Sequence, residues 1–264
     1  MNIEGIEIGE NHPCRFVAEI SNNHNGSFQR ALRLIEAAKS AGADMVKMQC
    51  YTPDELLALR GDGPAPEPWG SQGWSMRTLY EKARTPLDWF PSLFQRARRI
   101  GIVPFASVFG AESLAVLQSV DCPAYKIARL DNHDVNLLTV ACEVGKPVLV
   151  SHSDLLHLMG IAGCPPVHPL YCPPGYPTPA EDVKLPKFFG ADPWQKPESG
   201  WLGLSSHCLD PALPIAAVAR GAKLLEYHFH LCNEPSELEA NVSMNEFQFN
   251  QMVHDVRRTE AMMA

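Results

Sequence analysis

Short apolar or β-branched runs alternate along the chain with stretches that are apolar at helical spacing, the primary signal of a parallel α/β fold. Eight runs predict strands: FVAEI (16–20), DMVKMQ (44–49), IVPFAS (102–107), PAYKIA (123–128), PVLVS (147–151), VHPLYC (167–172), WLGLSS (201–206) and KLLEYHF (223–229). Four follow the lead-ins AGAD, RIG, EVGK and ARGAK, each a helix end closed by the glycine that accepts a left-handed cap. Between the runs, SFQRALRLIEAAKS (27–40) places Ala31, Leu34, Ile35 and Ala38 on one face behind Ser27 as N-cap, and DPALPIAAVAR (210–220) opens on Asp and Pro. Eight strand–helix units predict a (β/α)8 TIM barrel. IEGIEIG (3–9) reads as a small strand or hairpin closing the barrel bottom. Two segments resist the pattern: 52–74, with Trp69 and Trp74, and the proline-rich 173–200. Loops of that length in a compact domain usually act as lids or binding loops.

Length and composition narrow the picture. A chain of 264 residues, 45% hydrophobic and 20% charged, suits one large barrel domain over 1–264. The formal net charge of −8, with no basic run beyond Arg96, Arg98 and Arg99, argues against nucleic acid as a partner. Eight scattered cysteines without a C-x-x-C pair fit a reducing compartment. The opening MNIEGIEIGE lacks the basic and apolar regions of a signal peptide, and no window reaches the ~20 apolar residues of a membrane span. The expectation is a cytoplasmic protein that does not enter a membrane.

In a barrel of this kind, chemistry collects at the C-terminal ends of the strands. Nearly every predicted strand places a polar group there: Glu19, then Lys47 and Gln49, Ser107, Lys126, Ser151, Ser205 with His207, and Glu226 with His228. The period of two puts Lys47 and Gln49 on one face while Val46 and Met48 face the helices. A single lysine at such a place could simply snorkel to solvent, but a buried unpaired one is costly. Two lysines converging with hydroxyls, carboxylates and histidines point instead to a site for a phosphate or carboxylate. Strands lie ~4.8 Å apart, so His207 and His228 on adjacent strands could share one divalent metal. A zinc set built from HFHLC (228–232) with Cys208 carries little weight, because His230 is expected to lie beyond the strand.

The chain resembles the sialic acid synthases, which condense phosphoenolpyruvate with an N-acetylated aldose. The matching stretches are AEISNNHNGSFQRALRLIEAAKSAGADMVKMQ, PAYKIA, GKPVLVS, YPTPAEDVKL, GLSSHCLD, PIAAVARGAKLLEYHF and SMNEFQF, in family order over nearly the whole chain. The resemblance implies a transferase of the phosphoenolpyruvate-dependent sugar acid synthase type. It assigns the phosphoenolpyruvate to Lys47, Lys126, Ser107, Ser151 and Ser205. It places a divalent ion, Mn²⁺ first with Mg²⁺ or Co²⁺ as alternatives, on His207 and His228. Glu19, Gln49, Tyr176, Asp131 and Glu239 would face the aldehyde-bearing sugar, with Glu19, Lys47, Lys126 and Asp131 in catalytic roles. The departures are specific. YKI is followed by ARLD, which puts Arg129 beside the expected phosphate; Pro174 in CPPGYPTP stands for an Asn; SSH stands for SDH, with Ser206 for Asp; and Asp131 and Glu239 are carboxylates of altered length. Family members continue into a small C-terminal domain that contributes an arginine to the partner's site. The residues here stop after the last barrel helix, so the resemblance admits a homodimer, or a separate protein in that role.

Two other readings share these residues. A Schiff-base pyruvate aldolase would use Lys126 or Lys47 and leave the histidine pair without a task. A non-catalytic barrel binding an anionic ligand is suggested by Pro174 and Ser206.

Overall fold

The computed structural model describes residues 1–154, 167–186, 189, 200–235 and 238–264. All eight expected runs form strands, within a residue or two: β1 (Arg15–Glu19), β2 (Met45–Cys50), β3 (Val103–Val108), β4 (Tyr125–Ile127), β5 (Val148–His152), β6 (His168–Tyr171), β7 (Gly203–Ser206) and β8 (Leu224–His230). Each pairs in parallel with the next, and β8 pairs with both β7 and β1, so the sheet closes into the predicted barrel. A short parallel strand at Ser243–Asn245 pairs with the C-terminal end of β8, His228–His230. Unlike the expectation for His230, β8 runs on to include it, because its backbone pairs with Asn245 of that strand.

The helices follow local signals. α1 (Phe28–Ser40) begins where the Ser27 side chain accepts from the Arg30 amide, and it buries Ala31, Leu34, Ile35 and Ala38. The four lead-in glycines, Gly42, Gly101, Gly145 and Gly221, all take positive φ, as a left-handed helix end requires. Segment 52–74 differs from the expected open loop. Pro53 and a reciprocal Thr52–Glu55 capping box start α2 (Pro53–Arg60), and Ser75 caps α3 (Met76–Ala83). α4 (Phe90–Ile100), α5 (Ala111–Ser119), α6 (Val135–Glu143), α7 (Ala212–Ala219) and α8 (Glu246–Met263) complete the described helices. Of the segment 173–200, residues 187–188 and 190–199 lie outside the described residues.

Alternation along β2 sorts its side chains as the period of two demands. Val46 and Met48 are fully buried, and the Cys50 thiol reaches the Ser113 carbonyl of α5, whereas Lys47 and Gln49 turn inward. The main core fills the space between strands and helices, while a second apolar cluster, Tyr51, Leu56, Tyr80 and Phe109, stands apart at the other end of the strands. At the opposite end, the antiparallel pair Asn2–Ile3 and Ile6–Glu7 forms the expected hairpin with Ile3 and Ile8 buried. It touches the barrel at several starts: Arg15 donates to the Glu7 carbonyl, Arg98 pairs with Glu4, and the terminal ammonium bears on His168. Closure between β7 and β8 needs Gly203, since a Cβ there would lie 2.0 Å from the Leu224 carbonyl oxygen. None of the seven described cysteines forms a disulfide.

Candidate active site

Register places the polar residues side by side around the C-terminal rim. Ser205 stands opposite Glu226, His228 opposite Glu19, Glu19 opposite Lys47, Gln49 opposite Ser107, and Ser107 opposite Lys126. A one-residue slip would turn every one of them toward the helices.

At the centre is a buried charge network. Lys47 Nζ lies 2.8 Å from Glu19 Oε2 and 2.9 Å from Glu226 Oε1, with Ser107 Oγ at 3.4 Å. Lys126 Nζ donates to Ser151 Oγ at 2.7 Å and to the same Glu226 oxygen at 3.1 Å, and Ser205 Oγ donates to that oxygen at 2.8 Å. Burial disfavours the charge on Lys47, but Glu19 and Glu226 outweigh it and hold the ammonium above its usual range. Lys126 goes the other way. Burial pulls it down, Glu226 offsets only part of that, and Lys47 adds to the fall. Burial would raise Glu226, yet the two lysines hold its carboxyl far below the usual range. Its second oxygen has no hydrogen-bond partner.

Glu19 is set by the turn that follows it. Its Oε1 accepts from the Ser21 amide and hydroxyl, and that hydroxyl accepts from Gln49 Nε2 at 2.8 Å. Asn23 ties the turn to β8 through the Phe229 carbonyl and Ser243, and its own carbonyl receives Arg30 Nε. His24 bonds Thr85 and the Gly26 amide and stacks edge-on against Trp89. Ser21, Asn23 and His24 position Glu19 and are not themselves at the cavity.

Beside the network, the rings of His207 and His228 lie 5.2 Å apart, and Tyr176 packs edge-on against both. The Tyr176 hydroxyl donates to Glu239 Oε1 at 2.6 Å, while Glu239 Oε2 lies 3.4 Å from His228 Nδ1. Burial, with His228 alongside, pushes His207 well below its usual pKa; His228 is raised because Glu239 outweighs its burial. Ser206 accepts from the Cys208 amide, and His207 Nδ1 is buried without a hydrogen-bond partner. His207 Nδ1, His228 Nδ1 and Glu239 Oε2 make no hydrogen bond, and two imidazoles beside a carboxylate suit a divalent ion that takes its remaining ligands from water or substrate. Among the described residues no cluster of three or more His, Cys, Asp or Glu is arranged around one metal point, and the HFHLC zinc set is not assembled.

Asp131 is a correction. It was expected to face the sugar, but Arg60 of α2 takes both its oxygens, Nε to Oδ1 at 2.9 Å and Nη2 to Oδ2 at 2.7 Å, and it is Arg60 that lines the cavity. Arg129 lines the cavity near Cys172, and no carboxylate among the described residues pairs with it. Lys47, Gln49, Ser107, Lys126, Arg129, Ser151, Tyr176, Ser205, His207, His228 and Glu239 therefore share one cavity of about 430 Å³, with Glu19 directly behind Lys47. Glu226 was visible as a neighbour of His228 on one face, but nothing in its own strand indicated that both lysines would converge on it. Arg60 had no local signal, since its partner lies 71 residues away.

A profile of the NeuB family matches residues 34–264. The chain belongs to the NeuB family. This meets the expectation drawn from the motifs, and curated relatives agree. The chain is 35% identical over 258 residues to the pseudaminic acid synthase of Campylobacter jejuni, spanning 93% of this chain and 73% of the relative. It is 28% identical to human N-acetylneuraminate-9-phosphate synthase, over 97% of this chain and 73% of that protein. Among solved structures, the Bacillus subtilis spore coat polysaccharide biosynthesis protein SpsE superposes with a TM-score of 0.79 at 27% identity, covering all of this chain and 72% of that one. A Leptospira borgpetersenii sialic acid synthetase, at 24% identity and a TM-score of 0.84, supports the fold, the match covering all of this chain and 90% of that one.

Proposed function

We propose that this NeuB-family protein is a synthase that joins phosphoenolpyruvate to an aldehyde-bearing sugar and releases phosphate. One observation carries the reading: two buried lysines and Ser205 converge on a single Glu226 oxygen at the barrel mouth, with Ser107 and Ser151 bonded to the lysines, beside a histidine pair. Lys47, Lys126, Glu19 and Glu226 balance one another in charge, and Arg129 supplies a further cation for the incoming anion. Lys47, Lys126, Ser107, Ser151 and Ser205 hold the phosphate and carboxylate of the substrate. C3 of the enol bonds to the aldehyde carbon, whose oxygen takes a proton; water adds at C2, and the C2–O bond to phosphate breaks, leaving a 2-keto acid and inorganic phosphate. Tyr176 and Glu239, hydrogen-bonded to each other beside the histidines, are placed to hold the aldehyde end and pass that proton. A divalent ion, Mn²⁺ in the first instance, would sit on His207 and His228 and polarise the aldehyde as a Lewis acid.

The test mixes the protein with phosphoenolpyruvate, an acylamino aldose and Mn²⁺ and follows phosphate. One phosphate per phosphoenolpyruvate consumed, abolished by EDTA and restored by Mn²⁺, is the expected result. No consumption over a broad aldehyde panel overturns it. The lowered pKa of Lys126 keeps an imine route to be tested in the same preparation. Borohydride with pyruvate should leave the mass unchanged, because only a lysine imine leaves an irreversible adduct.

A further inference from the structure

Glu239, the carboxylate that bonds Tyr176 and flanks His228, stands in the loop after β8, just before the single turn Ala240–Val242. A side chain on such a loop is ordinarily mobile, yet Glu239 is buried, with 7% of its surface exposed. Much of what holds it leads back to the polar turn after β1. The Asn22 amide bonds its carboxyl, and its carbonyl accepts from the Val242 amide at 3.1 Å and from Ser243 Oγ at 2.7 Å. Ser243 Oγ in turn accepts from Asn23 Nδ2 at 3.1 Å, and the same nitrogen donates to the Phe229 carbonyl of β8 at 3.0 Å. The direction of each bond is fixed. Ser243 has one proton and gives it to the Glu239 carbonyl, so it meets Asn23 only as an acceptor, and the Phe229 carbonyl can only accept. Both require the amide nitrogen of Asn23, and its oxygen is left buried without a partner. A second cost lies two residues earlier: Ser21, which bonds Glu19 through amide and hydroxyl, holds φ at 36°, a left-handed conformation unfavourable for a residue with a Cβ. Arg30 closes the bracket. Its Nε donates to the Asn23 carbonyl at 2.6 Å, while its other nitrogens hold the side chain and the backbone carbonyl of Glu234, at the start of the loop that carries Glu239.

Resting on the synthase reading, we infer that Asn23 and Ser243 are positioning residues for the aldehyde step, acting by fixing Glu239 beside His228 in step with Glu19. The strand Ser243–Asn245 pairs with His228–His230, so the hydroxyl that holds Glu239 stands opposite the histidine that Glu239 flanks. Without that hydroxyl the Glu239 carbonyl loses its link to Asn23 and to β8. A displacement of about 1 Å in a group that handles the reacting atoms lowers a rate by on the order of 100-fold. The phosphate side is held separately, since Lys126 and Ser205 bond Glu226 and Ser151 bonds Lys126.

The test compares Ser243→Ala and Asn23→Ala with Ser243→Thr, which keeps the hydroxyl, at a temperature where urea unfolding shows each variant folded. Phosphate release is followed with phosphoenolpyruvate, Mn²⁺ and N-acetylmannosamine, or the fastest acylamino aldose of the panel. Ser243→Ala and Asn23→Ala should lower kcat roughly 10- to 100-fold and leave the KM for phosphoenolpyruvate close to wild type. Ser243→Thr should restore most of the rate. In a Glu239→Gln background neither variant should lower kcat much further, because both act through that carboxylate. Calorimetry of Mn²⁺ with the protein alone gives a readout apart from turnover: Ser243→Ala should bind the ion roughly tenfold more weakly, and Ser243→Thr as wild type does. A rate lowered equally by Ser243→Ala and Ser243→Thr, losses that add to Glu239→Gln, or a raised KM for phosphoenolpyruvate at unchanged kcat overturns the inference. The expected Mn²⁺ ranking without phosphate release from wild type keeps the positioning of Glu239 and defeats the synthase reading. Release with neither kcat nor Mn²⁺ affinity moved does the reverse, and neither release nor ranking defeats both.

Discussion

Replacing Glu226 by glutamine keeps the side chain's volume and removes one negative charge from the barrel mouth. Lys126 then loses the only carboxylate paired with it among the described residues, while Lys47 keeps Glu19 at 2.8 Å. Removing one partner of a buried pair costs about 3–5 kcal/mol, because the other charge stays in a poorly solvating site. A second bound is independent. Lys126 can escape by losing its proton, which at pH 7 costs no more than about 4–5 kcal/mol from an unfolded pKa near 10.4. The two bounds meet at about 4 kcal/mol, a fall in melting temperature of roughly 8–16 °C for a domain of this size. The sign with pH follows. In Glu226→Gln the folded pKa of Lys126 is depressed, so the loss is greatest at neutral pH and shrinks by about 1.4 kcal/mol per unit as pH rises toward 10. Urea unfolding followed by circular dichroism, in a buffer free of phosphate and carboxylates at pH 7, 8 and 9, measures this directly. A variant within about 0.5 kcal/mol of wild type at pH 7, or a loss flat with pH, would refute the claim that the two lysines depend on this carboxylate.

Other expectations follow from the same contacts. Burial pushes His24 down to about 4, Arg30 acting with it and Glu239 against it, so the ring folds neutral. Its contribution is complete above about pH 6.5 and is lost as pH falls toward 4, about 2–3 kcal/mol by pH 4.5; His24→Gln should flatten the denaturation profile in that window, with the slope due to His168 remaining. Gly203→Ala forces a Cβ onto the Leu224 carbonyl and should lower stability by about 3 kcal/mol or cause insolubility, whereas a melting temperature within about 2 °C of wild type would contradict the tight closure. Asn23→Ala removes two buried bonds to β8 and its outer strand and should cost about 1–3 kcal/mol, read by urea midpoint at unchanged slope. Asp131→Asn breaks the two-bond pair with Arg60 and should cost about 1–3 kcal/mol, read by urea midpoint; an unchanged midpoint would count against that pair as a tie between α2 and the loop after β4.

The eight strands, their glycine-capped lead-ins and the inward face of β2 were legible because each rests on a local rule of period, cap or turn. The same rules put Lys47, Lys126, Ser107, Ser151, Ser205, His207 and His228 on one rim once the barrel was assumed. The helices inside 52–83 were missed although Thr52–Glu55 and Pro53 are a local start signal, since the proline- and glycine-rich stretch that follows masked it. Asp131 was misjudged for another reason. A carboxylate two residues past Arg129 looks free in sequence, and only folding brings Arg60 across 71 residues to take both its oxygens.

By itself, then, the sequence determined the barrel, the order of its polar rim and the family to which the chain belongs, all of which depend on periodicity and contiguous motifs. Tertiary structure alone decided how the charges pair, that Glu226 gathers both lysines, that Asp131 is withdrawn behind Arg60, and that Tyr51, Leu56, Tyr80 and Phe109 gather beside the cavity. Those outcomes depend on distances between side chains remote in the chain, and no local pattern of residues encodes them.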